Sequence, residues 1–311
     1  MTNTNNDFEA VDQIARIFFG KKSTFTIKPL GEGSNNVNYL VDGESKIVIK
    51  LSKPDFEYKA FSDYKKESWC LTKAHELDIP SPKVLKLGQH NGRAFLIESY
   101  IDGSPVALLD DSSTFSEEEK LKVWNKLGKY TKRINSVPVV GWGENLVGDG
   151  VFDGSWEKHI QYNIKSLNED DILLQMEVLD KQLSKKIKQL FQSLCDKKFI
   201  FGLCHSDMAL RNSMIGKDGE VYLLDWGSAR AEIVPHYELN EILRASKPNE
   251  ETLKAFLDGY GISQEQFEQM DLDLKILDLL NEIDTLRWAI DKRPSAIQEY
   301  IDRVKIAIIK L

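Results

Sequence analysis

A chain of 311 residues, 41% hydrophobic and 29% charged, is long enough for two lobes and has the composition of a globular protein in water. No apolar run approaches the roughly 20 residues of a membrane span. A net charge of -8 with a pI near 5.3 is the wrong sign for the clustered Lys and Arg that hold a nucleic-acid backbone. Membrane and nucleic acid are set aside as partners, and a cationic small molecule suits the charge.

The opening MTNTNNDFEA is polar and acidic, unlike a secretory signal, and Cys70, Cys195 and Cys204 are an odd, scattered set without metal-ligand spacing. A cytoplasmic protein with free, mostly buried thiols is expected.

Residues 8–19 have the apolar spacing of a short helix and 24–29 that of a strand. VNYLV and KIVIKL then flank Asp42-Gly43-Glu44-Ser45, which predicts a hairpin. From 57 to 78 the period becomes helical and stops before Ile79-Pro80-Ser81-Pro82, where two prolines forbid continuation. VLKLGQHNGRAFLIESYI supplies another strand pair around the turn 89–92. The expected result is a small antiparallel β lobe with one long helix, residues 1–101.

Asp102-Gly103-Ser104-Pro105 has the composition of a linker into a larger, mainly helical lobe, residues 102–311. Helices are expected over 116–136, 156–163, 181–195, 238–244, 250–259, 272–291 and 295–310. In the last, Ile297, Ile301, Val304 and Ile308 recur at helical spacing. The fold class is α+β.

The most informative segment is GLCHSDMALRNSMIGKDGEVYLLDWGSA, residues 202–229. It orders His205, Asp207, Asn212 and, at the end of an apolar strand, Asp225. Asp207 is suited to orient an acceptor hydroxyl and take its proton during phosphoryl transfer. Asn212 and Asp225 offer hard oxygen ligands for Mg2+ bridging nucleotide phosphates. His205 is expected to organise the loop.

Upstream, Leu30-Gly31-Glu32-Gly33-Ser34-Asn35-Asn36-Val37 lies between two strands. Gly31 and Gly33 would let backbone amides approach a phosphate, with Ser34 and Asn36 as small polar donors. The segment lacks the Gly-Lys-Ser/Thr ending of a P-loop. In Ile47-Val48-Ile49-Lys50 the alternation puts Val48 and Lys50 on one face. Tyr64, Glu67, Leu71 and Ala74 share one helical stripe, where an unpaired Glu67 would be costly to bury, so it requires a cation.

Together these motifs, in this order from Leu30 to Leu243, resemble the aminoglycoside phosphotransferase and choline kinase-like family of the bilobal protein kinase-like fold. The stretch from Val140-Gly141-Trp142-Gly143 to Trp156 is similar to hygromycin-type phosphotransferases. The resemblance implies that Lys50 holds the α- and β-phosphates of ATP or GTP, that Val48 packs on the base, and that Lys50 is the partner of Glu67. It also implies a connector at residues 95–103 whose Ser99 carbonyl and Ile101 amide hold the base.

The loop Met208-Ala209-Leu210-Arg211 and the turn Pro235-His236-Tyr237-Glu238 depart from the family's usual patterns. There is no Ala-Pro-Glu activation segment, which argues against a protein substrate. A small-molecule alcohol is the expected acceptor: an aminoglycoside-type antibiotic first, as in drug resistance, with choline, a sugar or another housekeeping alcohol as alternatives. A nucleotide-binding pseudokinase is the alternative from another class. Acidic candidates for a cationic acceptor are Asp153, Glu157, Asp170, Asp171, Glu238, Glu282 and Asp284. Trp142, Trp156, Trp226 and Trp288 are candidates for an aromatic cation pocket or for core.

Overall fold

The computed structural model describes residues 4–33, 35–110 and 115–311. Its elements begin with α1 (Thr4–Phe19), β1 (Thr26–Glu32), β2 (Asn36–Asp42), β3 (Lys46–Ser52), α2 (Glu57–Glu76), β4 (Val84–His90) and β5 (Arg93–Ser99). Then follow β6 (Gly103–Pro105), α3 (Val106–Asp110), α4 (Glu117–Asn135), β7 (Trp142–Gly148), β8 (Val151–Gly154), α5 (Trp156–Ser166), α6 (Ile172–Gln175), α7 (Lys181–Cys195) and β9 (Ile200–Cys204). The chain closes with β10 (Ser213–Gly216), β11 (Val221–Leu223), β12 (Arg230–Val234), α8 (His236–Ala245), α9 (Glu250–Tyr260), α10 (Gln264–Lys292) and α11 (Ile297–Ile309).

Two compact units divide the chain. One comprises Met1–Val123 with Asp207–Ala229, the other Trp124–Ser206 with Arg230–Leu311. Residues 207–229 thus cluster with the N-terminal residues.

In the first unit an antiparallel sheet runs β1-β2-β3-β5-β4. Ile47, Ile49 and Leu51 of β3 are fully buried against Val11, Ile14 and Ala15 of α1. The opening helix is therefore a core element, a second helix beside the long α2. Arg93 fixes it, donating to Asp7 Oδ1 at 2.5 Å and to the Ser52 carbonyl at 2.7 Å. α2 covers a separate cluster, with Ala60 and Tyr64 against Leu96. The expected linker is a short strand: β6 pairs with β10 in the small sheet β11-β10-β6.

The second unit is mainly helical around one core, where Ile187 and Phe191 of α7 meet Ile276, Leu279 and Ile283 of α10. Asp180 caps α7 by accepting from the Leu183 amide at 2.7 Å. α4 and α9 touch backbone to backbone, since a Cβ on Gly128 would lie 2.1 Å from the Phe256 carbonyl. The unit also holds a four-stranded sheet, β8-β7-β12-β9. Among the described residues no helix is long and apolar enough to cross a membrane. Cys70 and Cys204 are free and buried, whereas Cys195 is free and exposed.

Candidate active site

Lys50 lies in the middle of the five-stranded sheet, its strand paired on both sides, with Asn38 and Leu96 as register partners. Its side chain turns away from the α1 core and is only 6% exposed. The ammonium is in contact with Glu67 Oε1 and lies 3.5 Å from Asp225 Oδ1. Glu67 is 2% exposed, so the stripe of α2 does bury its carboxylate against a cation.

Glu98 joins this cluster. It stands opposite Val48 in the β3–β5 register, on the Lys50 face, and is 7% exposed. Burial disfavours the Lys50 charge, yet the fields of Glu67, Glu98 and Asp225 outweigh it and hold the lysine well above its ordinary pKa. For Glu98 the balance runs the other way. Burial, reinforced by Glu67 and Asp225, raises its carboxyl to about 7 against the opposing pull of Lys50.

The segment of residues 202–229 is shaped by its own backbone. Ser206 and Asp225 both adopt positive φ, 65° and 57°, conformations that cost non-glycine residues energy and occur where function over-determines the chain. The Asn212 amide side chain donates to the Asp207 carbonyl at 2.9 Å, and the Leu224 amide donates to the Asn212 carbonyl at 2.8 Å. These two bonds tie Asp207, Asn212 and the residue before Asp225 together. Trp226 is 1% exposed and donates to the Leu223 carbonyl, so it is core.

Asp207 remains partly exposed, with Arg211 in contact with its Oδ1. Arg211 is thus a cation held on the candidate base, in the loop that departs from the family pattern. His205 is fully buried at the end of β9, next to Ser206, whose amide donates to the buried carboxylate of Glu238 at 2.5 Å.

Asp225, with 56% of its side chain exposed, and the amide oxygen of Asn212 suit Mg2+, a hard cation that takes few protein oxygens and keeps water and phosphate ligands. The donor set fits the ion.

The glycine segment is held at its base by Lys53, whose ammonium donates to the Gly33 carbonyl at 2.8 Å and lies 3.4 Å from Glu32. Gly31 has φ +149°, and a Cβ on Gly33 would meet Asn36 Oδ1 at 2.6 Å. Ser34 lies outside the described residues. Ser99 Oγ accepts from the Lys83 amide at 2.8 Å while its own amide donates to the Lys83 carbonyl at 2.9 Å, and among the described residues nothing takes up the Ile101 amide.

Sequence reasoning missed Glu98, Arg211 and Lys53. The signal for Glu98 was an acid at the end of the buried run Ala94 to Ile97, where every other side chain is apolar.

The second unit contains a cavity of about 380 Å³, within the range of small-molecule sites. Trp142, Trp156, Trp288 and Tyr237 supply its aromatic walls. The His159 ring lies on Trp142, centroids 4.4 Å apart, and burial lowers its pKa. Arg230 lies over Trp142 and Tyr237 at 5.6 and 5.3 Å and pairs with Glu232 at 2.9 Å. Of the seven acidic candidates, Asp284 lines the cavity. Asp171 pairs with Arg287, Glu282 pairs with Arg244 and Arg303, and Glu238 holds the Ser206 amide. Asp153, Glu157 and Asp170 are exposed.

A buried lysine–glutamate pair thus stands beside an Asp, and that Asp and Asn212 flank one strand-turn-strand unit, β10–β11. Residues 26–272 match the phosphotransferase enzyme family, and the chain belongs to it. It is similar to a thermostable mutant of the aminoglycoside phosphotransferase APH(4)-Ia in ternary complex with ADP and hygromycin B. That match has 16% identity, covers 97% of this chain and 98% of the other, and has a TM-score of 0.65. It is likewise similar to wild-type aminoglycoside 2'-phosphotransferase-IIIa in its GDP complex, with 15% identity, 96% and 97% coverage and a TM-score of 0.69. Choline kinase LicA from Streptococcus pneumoniae shares 16% identity over 96% and 98% of the chains, with a TM-score of 0.59. No curated protein sequence matches the chain.

Proposed function

We propose that the protein is a magnesium-dependent kinase that moves the γ-phosphoryl of ATP or GTP to a hydroxyl of a small amine-bearing molecule, with aminoglycoside-type antibiotics as the first class to test. The observation that carries the reading is the buried Lys50, paired with Glu67 and 3.5 Å from Asp225. A buried ammonium held beside a metal-ligand carboxylate is what phosphate oxygens require, and it also argues against a decayed pseudokinase site.

In this reading Lys50 holds the α- and β-phosphates, Val48 packs on the base, and the Ser99 carbonyl and Ile101 amide hold its edge. Gly31, Gly33 and Asn36 cover the phosphates. Asn212 and Asp225 hold Mg2+, which when bound neutralises charge on the phosphates. Asp207 orients the acceptor hydroxyl and accepts its proton, while His205 supports the loop from its buried position. The cavity of the second unit holds the acceptor.

An ADP-release assay over aminoglycosides, choline and sugars tests this reading. Asp207→Asn is expected to lower kcat by roughly 10²- to 10⁴-fold with nucleotide affinity retained. Equal turnover by wild type and variant would remove Asp207 from its role. Tight nucleotide binding with no turnover on any acceptor would favour the pseudokinase.

A further inference from the structure

The cavity of the second unit has a charge pattern that narrows its occupant. Five carboxylates reach its lining. Glu232 is answered by Arg230 at 2.9 Å, Glu241 by contact with Arg244, and Asp278 by Lys310 at 3.1 Å. Glu144 stands in the field of Arg230. Asp284 differs: its Oδ1 accepts from the Asn163 amide at 3.3 Å, and among the described residues no cation pairs with it.

Asp284 belongs to a stripe on α10 with Asn281, Thr285 and Trp288, at spacings that put them on one helix face. Near it, His159 lies stacked on Trp142, and its ring nitrogens make no hydrogen bond among the described residues. The wall therefore keeps a carboxylate that lacks a counter-ion, an imidazole open to a hydroxyl, and tryptophan faces. A cation beside an aromatic face gains electrostatic attraction in addition to that carboxylate. A ligand with four or five amines would need several open carboxylates, and the chain's own Arg230, Arg244 and Lys310 have taken the others.

We infer that Asp284 is the specificity-determining residue of the acceptor pocket, and that the acceptor is a hydroxylated ring carrying a single protonated amine, which Asp284 binds. This rests on the cavity being the acceptor site.

The test compares D-glucosamine, N-acetyl-D-glucosamine, D-glucose and kanamycin. Binding is measured calorimetrically without nucleotide, and ADP release is measured in parallel. Glucosamine is expected to bind at least about tenfold tighter than glucose or the N-acetyl sugar, a ratio worth one paired charge. Kanamycin should gain little over glucosamine. Asp284→Asn should erase the amine preference, and methylammonium chloride should compete with glucosamine on the wild type, a readout that survives if the variant misfolds.

Equal binding of charged and neutral sugars, failure of all four to bind, or an amine preference kept by Asp284→Asn would overturn the inference. So would kanamycin binding a hundredfold tighter than glucosamine. Amine-dependent binding without ADP release would leave the inference standing and sink the kinase reading. ADP release indifferent to the amine would do the reverse.

Discussion

Replacing Lys50 by methionine separates the structural work of the buried pair from its chemistry. Lys50 and Glu67 are 6% and 2% exposed, so solvent screens neither. Methionine keeps most of the apolar stem, and the change is the loss of an ammonium facing Glu67, Glu98 and Asp225. Removing one member of a buried ion pair costs about 3–5 kcal/mol, because the remaining charge is left in a poor medium. Total stability of a folded domain is only about 5–15 kcal/mol, so the shift is large. In Lys50→Met/Glu67→Gln no charge of the pair remains, and most of the loss should return. The sign with pH follows from the carboxyls. Burial without the ammonium raises Glu67 and Glu98 further above their unfolded value, so the penalty is full above their raised values and fades as pH falls toward 4.5. Urea denaturation followed by tryptophan fluorescence, at pH 8 and pH 5 without nucleotide, measures all three proteins. A loss under about 1 kcal/mol for the single variant at pH 8, or a double variant no more stable than the single, would refute the reasoning.

Glu98→Gln should stabilise the nucleotide-free protein at pH 8 and do little at pH 4.5. The folded carboxyl keeps its proton to about 7 and the unfolded one only to about 4.5, so wild-type stability falls as pH rises between these values. That displacement corresponds to at most roughly 3 kcal/mol, and an unchanged midpoint in urea at pH 8 would contradict it. Gly128→Ala should destabilise by about 1–3 kcal/mol through overpacking, despite alanine's better helix propensity, because its Cβ would meet the Phe256 carbonyl. A thermal melt at or above wild type would show that α4 and α9 can part at no cost.

The N-terminal sheet was legible because β2 and β3 alternate cleanly about an Asp-Gly turn, and α7 falls within the bounds that its apolar spacing predicts. β7 and β8 were not. Gly143, Gly148 and Gly154 interrupt them, and register shifts break any alternation. α10 begins at Gln264, well before its apolar stripe, because Ser263 and Gln266 form a reciprocal capping box, a signal present in the sequence and overlooked. In the site, Lys50, Glu67 and Asp225 announce themselves by residue type and spacing, while Glu98 becomes visible only when β5 is laid beside β3. Asp284 was one of seven similar acids until ion pairs within the fold distinguished it.

The ladder between β9 and β12 pairs Cys204 with Arg230 and continues residue for residue to Ile200 and Val234. Cys204 and Arg230, the residues that flank 205–229 in the chain, therefore stand only about 5 Å apart. A segment with adjoining ends is a cassette: a lineage can lengthen, trim or exchange it while the strands that feed it stay in register. Under the proposed function, reaction chemistry and acceptor choice would be free to evolve on separate stretches of sequence. A chimera that takes residues 205–229 from an aminoglycoside phosphotransferase should keep this chain's acceptor preference.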